Sequence, residues 1–174
     1  MQKLTCAIVA AGAVLAADTT TAAVTCDPTV TDCPPPTVGI SCDHASLTQG
    51  VIWPPDHKMV AETIMDVSSS VGAVTIQITG ISQSEPVNAL GSGNTAPDGI
   101  IANSTDSTIP SIAYVRAERA GPGTGRIYII SYTATDTGGN QCSGSLTVNV
   151  PHDQGQGYTP IPTGSWYDST KSPP

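Results

Sequence analysis

The segment EPVNALGSGNTAPDG, from Glu85 to Gly99, combines carboxylates, amides and glycines that suggest several kinds of chemistry. Glycine-rich loops can bind phosphate, but a phosphate loop of this kind needs the pattern G-x-x-x-x-G-K-[ST] at the start of a helix. Here Gly91 and Gly93 are followed by NTAPDG, which has no lysine and opens no helical pattern. We therefore exclude a phosphate site.

Two interpretations of this segment remain. In the first, oxygens of Glu85, Asn88, Asn94 and Asp98 join loop carbonyls to bind calcium, a cation that prefers oxygen ligands, although no EF-hand loop is present. In the second, two arginines and three acids form a structural ion-pair cluster: Arg119 and Arg126 with Glu85, Asp98 and Glu118. We favour the second, so that no cofactor is required and calcium is an optional addition to the same residues.

Two histidines next to acids suggest acid–base catalysis. His57 follows Asp56 and His152 precedes Asp153. Adjacent side chains on an extended chain point in opposite directions, however, so neither pair is arranged to share a proton. Because no serine elbow, reactive cysteine or carboxylate pair accompanies them, we predict no catalytic residues and no enzyme activity.

The composition indicates the elements that must position these residues. Acids outnumber Lys plus Arg by 14 to 6, which disfavours nucleic acid as a partner. The chain has no Phe and is rich in Thr, Ser, Val, Ile, Gly and Pro, a composition typical of short strands and tight turns. Its 174 residues predict one all-β domain with additional terminal segments.

The two ends of the chain differ from its centre. Residues 1–22 carry Lys3 followed by an apolar run and small residues, which predicts a secretory signal peptide and no membrane span after its cleavage. Residues 23–41 are a Pro/Thr-rich linker, and 155–174 are predicted to form a flexible C-terminal tail. The protein is therefore expected to be secreted, at the cell surface or in the extracellular medium.

The central residues, 42–154, alternate apolar and polar side chains in short runs. The runs are 58–68, 74–82, 99–102, 111–118, 125–136 and 144–150, with a weaker one in GISCDHASL. In SIAYVRAE, Ala113, Val115 and Ala117 form the apolar set that we expect to face inward. About seven strands of this kind predict an immunoglobulin-like β-sandwich.

Four motifs give this region a resemblance to a known group of domains: IWPPDHKMV, SEPVNALGSGNTAPDG, YVRAERAGPGTGRIYIISYTATDTGGN and LTVNVPHDQ. In their order and spacing they resemble immunoglobulin-like modules of large secreted bacterial proteins, similar to hyalin-repeat (HYR) domains. The resemblance implies a non-catalytic extracellular sandwich in adhesive or cell-surface contexts. Related modules often carry more acids in the glycine loop, where this chain has Ser92 and Asn94, which disfavours a metal.

If consecutive strands alternate in direction, four loops fall at one end of the sandwich. We call this the motif end, and it comprises WPPDHK (53–58), EPVNALGSGNTAPDG (85–99), ERAGPGTGR (118–126) and PHDQ (151–154). The candidate ion-pair cluster is therefore expected there.

Four cysteines remain after signal cleavage, and their spacing permits three full pairings. In such a sandwich the first and last strands run side by side in the same direction. Cys42 opens the first and Cys142 the last, so we predict a Cys42–Cys142 disulfide, leaving Cys26 and Cys33 to pair within the linker.

Together these observations predict a secreted structural or adhesive module. Its expected partners are other extracellular proteins, copies of itself or surface glycans. Two alternatives remain: a subunit of a filament or assembly that adds a terminal tail to a neighbouring sandwich as a strand, and a carbohydrate-binding module that uses Trp53 or Trp166.

Overall fold

In the computed structural model, residues 39–153, 160, 162 and 164–172 are described. They contain ten strands and no helix: β1 Ile40–Ser41, β2 Ser46–Leu47, β3 Met59–Met65, β4 Ser68–Ser69, β5 Val74–Gln83, β6 Gly99–Ala102, β7 Ile112–Arg116, β8 Gly125–Asp136, β9 Gln141–Pro151 and β10 Tyr167–Asp168. No described element is a helix of the length and apolarity needed to cross a membrane. The predicted Cys26–Cys33 pair lies outside the described residues.

The strands form two four-stranded antiparallel sheets and one short pair. The first sheet has the order β2-β3-β7-β6, the second β10-β5-β8-β9, and β1 pairs with β4. Apart from β10, this is the ABED and CFG order of constant-type immunoglobulin domains. The prediction of an all-β immunoglobulin-like sandwich is confirmed, with ten strands in place of about seven because the weak first run divides and short strands β4 and β10 were not expected.

Both sheets contribute to a single hydrophobic core. Ala113, Val115 and Ala117 are buried, as the alternation predicted. On the neighbouring β3 the buried face contains Ile64 together with the fully buried Glu62. Glu62 accepts hydrogen bonds from the Thr48 hydroxyl and the Gln49 amide, both at 2.8 Å. The core therefore holds a carboxyl group that is bonded through one of its two oxygens.

The turn between β8 and β9 is organised by Asp136. One of its oxygens accepts hydrogen bonds from the backbone amides of Gly138 and Asn140, each at 2.9 Å. Gly139 has a φ of 81°, a conformation that glycine adopts without strain. These contacts fix the register of the longest hairpin, in which Gly125 pairs with Pro151 and Thr135 with Gln141.

The first and last parts of the sandwich are joined covalently. Cys42 and Cys142 form a disulfide with a Cα–Cα distance of 6.0 Å, which confirms the predicted pair. Further along, Val51 and Asn149 form a parallel bridge, and the Ile52 amide donates to the Asn149 carbonyl at 2.9 Å. The N-terminal segment and β9 thus run in the same direction, as the prediction assumed.

Within the segment 155–174, which was predicted to be a flexible tail, the described residues from Tyr167 to Ser169 are instead bonded to the sandwich. Strand β10 pairs with β5, with Tyr167 opposite Gln83. The fully buried Ser169 donates its amide to the Ile81 carbonyl, and its own carbonyl accepts the amides of Asp98 (3.0 Å) and Gly99 (2.8 Å). Main-chain pairing orders this segment, a contribution that side-chain periodicity does not reveal. Ser169 therefore connects the second sheet to the start of β6 in the first.

Candidate functional site

The four segments of the motif end contact one another. The ring of His57 packs on the backbone of Gly93, where an added Cβ would lie 2.8 Å from two ring atoms. The backbones of Gly91 and Gly121 are also in close contact, since a Cβ added to Gly91 would lie 3.0 Å from the Gly121 nitrogen. The His152 ring nitrogen Nε2 is 3.2 Å from the Gly121 carbonyl. The predicted convergence of these distant segments is therefore present in the described residues.

Beneath these loops, the fully buried Arg126 is the centre of an ion-pair cluster. Its Nε donates to Glu85 Oε2 at 3.0 Å and its Nη1 to Asp98 Oδ2 at 2.8 Å. Its Nη2 lies 3.5 Å from Glu118 Oε1. We call these four residues, with Arg116, the arginine cluster. One guanidinium thus contacts all three carboxylates that the sequence analysis assigned to such a cluster.

Strand pairing explains two of these contacts. In the ladder between β5 and β8, Gln83 pairs with Tyr128, and the Ser84 amide donates to the Ile127 carbonyl just beyond it, so Glu85 lies opposite Arg126 two positions beyond that pair. In the ladder between β6 and β7, Gly99 pairs with Val115, which places Asp98 opposite Arg116. Opposite charges directly across a pair of strands attract each other. Each sheet therefore contributes one acid–arginine pair, and Arg126 joins the two.

The second arginine of the cluster is Arg116, and the prediction of Arg119 is wrong. The Arg116 side chain is 15% exposed, and its Nε lies 3.3 Å from Asp98 Oδ1 and 4.0 Å from Glu118 Oε2. It also donates to the carbonyls of His57 and Pro97. Arg119 lies beyond the end of β7, where its guanidinium donates to the Ala120 carbonyl at 3.3 Å. Among the described residues, Arg119 has no partner across a strand ladder, unlike Arg116, and its guanidinium bonds to the backbone carbonyl of the next residue.

Neutral side chains complete the arginine cluster. Gln83 donates to Asp98 Oδ2 at 2.8 Å, and the Tyr128 hydroxyl accepts from Arg126 and donates to the Arg116 carbonyl at 2.9 Å. Glu85 also accepts the Ala120 amide at 2.8 Å. Buried charges are tolerated when such hydrogen bonds satisfy them. The cluster is therefore a bonded polar core that links the two sheets at the motif end.

The electrostatic environment keeps Arg126 charged. Burial opposes the positive charge, but contacts with Tyr128, Asp98 and Glu85 outweigh it and raise the pKa of Arg126 above its usual value. Burial also raises the pKa of the Tyr128 hydroxyl, while the neighbouring Arg126 lowers it in part. Tyr128 is accordingly a neutral phenol that donates and accepts hydrogen bonds.

Glu118 connects the arginine cluster to the surface loops. Its Oε2 accepts a hydrogen bond from the Thr95 hydroxyl and lies 3.2 Å from His57 Nδ1. Thr95 belongs to the segment 85–99 and His57 to the segment 53–58. Both loops are thereby fastened to one buried carboxylate.

Of the four residues proposed as calcium ligands, Glu85 and Asp98 are engaged by arginine, whereas the side-chain oxygen of Asn88 is buried without a hydrogen-bond partner among the described residues. Asn88 and Asn94 have φ values of 60° and 57°, a left-handed conformation that asparagine tolerates better than most residues. Within the part of the chain that the structure describes, no three His, Cys, Asp or Glu residues are grouped to hold a metal ion.

The two histidine–acid pairs have different surroundings. Asp56 bonds to Lys58 Nζ at 2.6 Å, while His57 contacts Glu118. His152 Nδ1 is 3.5 Å from Asp153 Oδ2, and both side chains are substantially exposed. The expectation that adjacent side chains point in opposite directions is therefore wrong for His152 and Asp153, whose polar atoms approach each other at the surface.

Sequence reasoning missed Arg116, Gln83, Tyr128, Thr95 and His57 as members or contacts of the cluster. The signal that would have found Arg116 is the pairing register of β6 and β7, since Asp98 stands directly opposite it. Gln83 and Tyr128 are likewise a cross-strand pair. No local sequence pattern predicts the contact between His57 and Glu118, because 61 positions separate them.

Apolar side chains are exposed in or next to the segments of the motif end. Leu90, in the segment 85–99, is 85% exposed, and Val51 and Trp53 are 58% and 40% exposed.

The chain was compared with known proteins of three kinds. No protein-family model, no curated protein and no solved structure matches it.

Proposed function

We propose that this protein is a secreted, non-catalytic, HYR-like immunoglobulin module with a structural or adhesive role, which presents the motif end to extracellular partners. The observation that carries the proposal is the arginine cluster. It fastens three separate loops to the sandwich beneath a surface on which Leu90 is 85% exposed.

Fixed loops favour binding for a physical reason. A loop that is already ordered loses less conformational entropy when a partner docks, so more of the contact energy appears as affinity. The cluster supplies that order from buried charges and leaves the outer face of the loops available. Leu90 and Trp53 then serve as apolar anchors at the centre of the contact.

A bead assay tests the adhesive role. Beads carrying the purified protein should cluster with each other or bind the surface of the cells that secrete it, whereas albumin-coated beads should do neither. Leu90→Asp should reduce this adhesion. Ile109→Asp is the matched control, because Ile109 is also exposed (57%) but lies near the opposite end of the sandwich.

If the beads neither cluster with each other nor bind the cells, the proposal is contradicted. Equal losses in Leu90→Asp and Ile109→Asp would contradict the role of the motif end. Circular dichroism of both variants ensures that a loss reflects the surface and not the fold.

A second candidate is a subunit of an extracellular assembly, and the observation that favours it is strand β10. This short strand from the C-terminal segment already adds to the edge of β5 through main-chain bonds. The same addition between two copies would link sandwiches in series.

Cysteines at the paired positions Ser82 and Asp168 distinguish the two arrangements. After oxidation, a disulfide within one chain leaves a monomer on a non-reducing gel. Strand exchange between copies instead produces a ladder that grows with protein concentration. A monomer at every concentration would exclude the assembly proposal.

A further inference from the structure

A groove lies beside β10, on the flank of the sandwich. Its volume is about 310 Å³, and it is lined by residues of β5, β8 and β10, by Ile101 of β6, and by Trp166 and Thr170 on either side of β10. This volume is at the lower end of the range for small-molecule sites, and it suits an extended ligand a few groups long better than a folded protein.

The groove combines aromatic and hydroxyl groups. Trp166 and Tyr167 line it and are 43% and 37% exposed, although both rings carry large apolar surfaces. Hydroxyl-bearing side chains form much of the remaining lining: Thr79, Ser82, Ser131 and Thr170. Aromatic faces bind the C–H faces of a sugar ring through apolar contact, while hydroxyls exchange hydrogen bonds with sugar hydroxyls.

The only charged side chain among the lining residues that the structure describes is Asp168. Its carboxylate accepts the Thr170 amide at 3.0 Å and the Thr170 hydroxyl at 2.6 Å, and Lys171 Nζ lies 3.3 Å away. These contacts with Thr170, and then with Lys171, lower the pKa of Asp168. The groove thus contains a fixed acceptor whose charge is balanced by a neighbouring cation, which favours a neutral polar ligand over an ion.

The local fold keeps the groove open. A register shift between Ile78 and Gly80 interrupts the pairing of β5 with β8. Strand β10 ends at Asp168, opposite Ser82, and the chain then turns inward at the buried Ser169. The edge of β5 from Thr79 to Ile81 therefore borders the groove without a full neighbouring strand.

We propose that this groove binds a short neutral oligosaccharide, with Trp166 stacking on a sugar ring and Asp168 and the surrounding hydroxyls bonding to its hydroxyl groups. The groove shares no residue with the motif end. The proposal therefore goes beyond the structural or adhesive function, and either can fail without the other.

The presence of two tryptophans in the chain allows a matched experiment. In Trp53→Ala, intrinsic tryptophan fluorescence reports Trp166 alone, and in Trp166→Ala it reports Trp53 alone. Each protein is titrated with cellohexaose, mannohexaose and N-acetylchitohexaose, and with a polygalacturonate hexamer as the charged comparison.

We expect at least one neutral oligosaccharide to change the fluorescence of Trp166 in a saturable manner, with no response from Trp53. Calorimetry should find binding weakened about tenfold or more in Trp166→Ala and largely restored in Trp166→Phe, which keeps an aromatic face. Urea unfolding of each variant establishes that it is folded.

Three results would overturn the proposal: no response of Trp166 to any neutral oligosaccharide, an equal response of Trp53 in Trp166→Ala, or binding of the charged hexamer alone. If Trp166→Phe binds no better than Trp166→Ala while both are folded, stacking is also excluded.

Discussion

Replacement of Arg126 by methionine tests whether the arginine cluster holds the motif end together. Methionine keeps an unbranched apolar chain but removes the guanidinium that contacts Glu85, Asp98 and Glu118. All three carboxylates are buried, so water cannot replace the lost hydrogen bonds unless the structure opens. Breaking a buried ion pair by removing one partner costs about 3–5 kcal/mol.

That loss is large for a domain whose total stability is expected to be about 5–15 kcal/mol. Arg116 remains near Asp98 and Glu118, but Glu85 keeps only neutral donors such as the Ala120 amide. We therefore expect Arg126→Met to lower the free energy of unfolding by about 3–5 kcal/mol. Urea titration followed by tryptophan fluorescence measures this quantity.

Arg119→Ala is the matched control. Its guanidinium bonds to the Ala120 carbonyl and to no described carboxylate, so its removal should change the stability by about 0.5 kcal/mol or less. Both variants and the wild type are measured with calcium and with EDTA. We expect the wild-type midpoint to be the same in the two solutions.

The reasoning fails if Arg126→Met unfolds within about 1 kcal/mol of the wild type, or if Arg119→Ala is the more destabilised variant. A wild-type midpoint that falls sharply in EDTA, together with a stable Arg126→Met protein in calcium, would show that a metal ion performs the role assigned here to arginine.

Three further predictions concern the frame of the domain. Burial raises the pKa of Glu62, so the wild type should lose stability relative to Glu62→Gln as the pH rises above the ordinary pKa of a glutamate, measured by urea midpoints. The cost of burying the charged carboxylate is absent below the pKa of Glu62 in the unfolded protein and complete above its pKa in the folded protein. A stability difference between the two proteins that does not change with pH would contradict this prediction. Replacing Cys42 and Cys142 together by alanine should cost about 2–5 kcal/mol, and reductant should then have no further effect on the described domain. Deleting residues 166–174 should cost about 1–3 kcal/mol and speed amide hydrogen exchange at Asp98, because the Ser169 carbonyl that it binds is lost; unchanged exchange would contradict the role of Ser169.

Strand alternation and turn chemistry account for the part of the fold that the sequence predicted. The run from Gly125 to Asp136 coincides with β8, and the hairpin turn that follows depends on Asp136 and glycine, whose preferences are local. The Cys42–Cys142 bond followed from chain topology. These features depend on periodicity and on general rules of β-sandwiches, so they required no knowledge of individual contacts.

The features that the sequence did not predict depend on register or on main-chain bonding. A simple alternation from Ile78 places Ile81 on the outer face, but the register shift before Gly80 turns both isoleucines into the core. The contact between Arg116 and Asp98 was not predicted, because only the pairing of β6 with β7 identifies these two residues as partners. Strand β10 has only two residues, so it shows no alternation of apolar and polar side chains. It pairs with β5 through the backbone, which leaves no pattern in the sequence.

The Cys42–Cys142 bond also determines how the domain responds to tension. The two cysteines are separated by 100 positions, and all strands from β2 to β8 lie within the loop they close. If the chain is pulled between residues 39 and 172, the oxidised protein lengthens to about 120 Å, whereas the reduced protein reaches about 450 Å. Mechanical load therefore passes from the N-terminal segment directly into β9. The arginine cluster lies inside the closed loop, so the oxidised domain can be extended without unravelling the chain between its members.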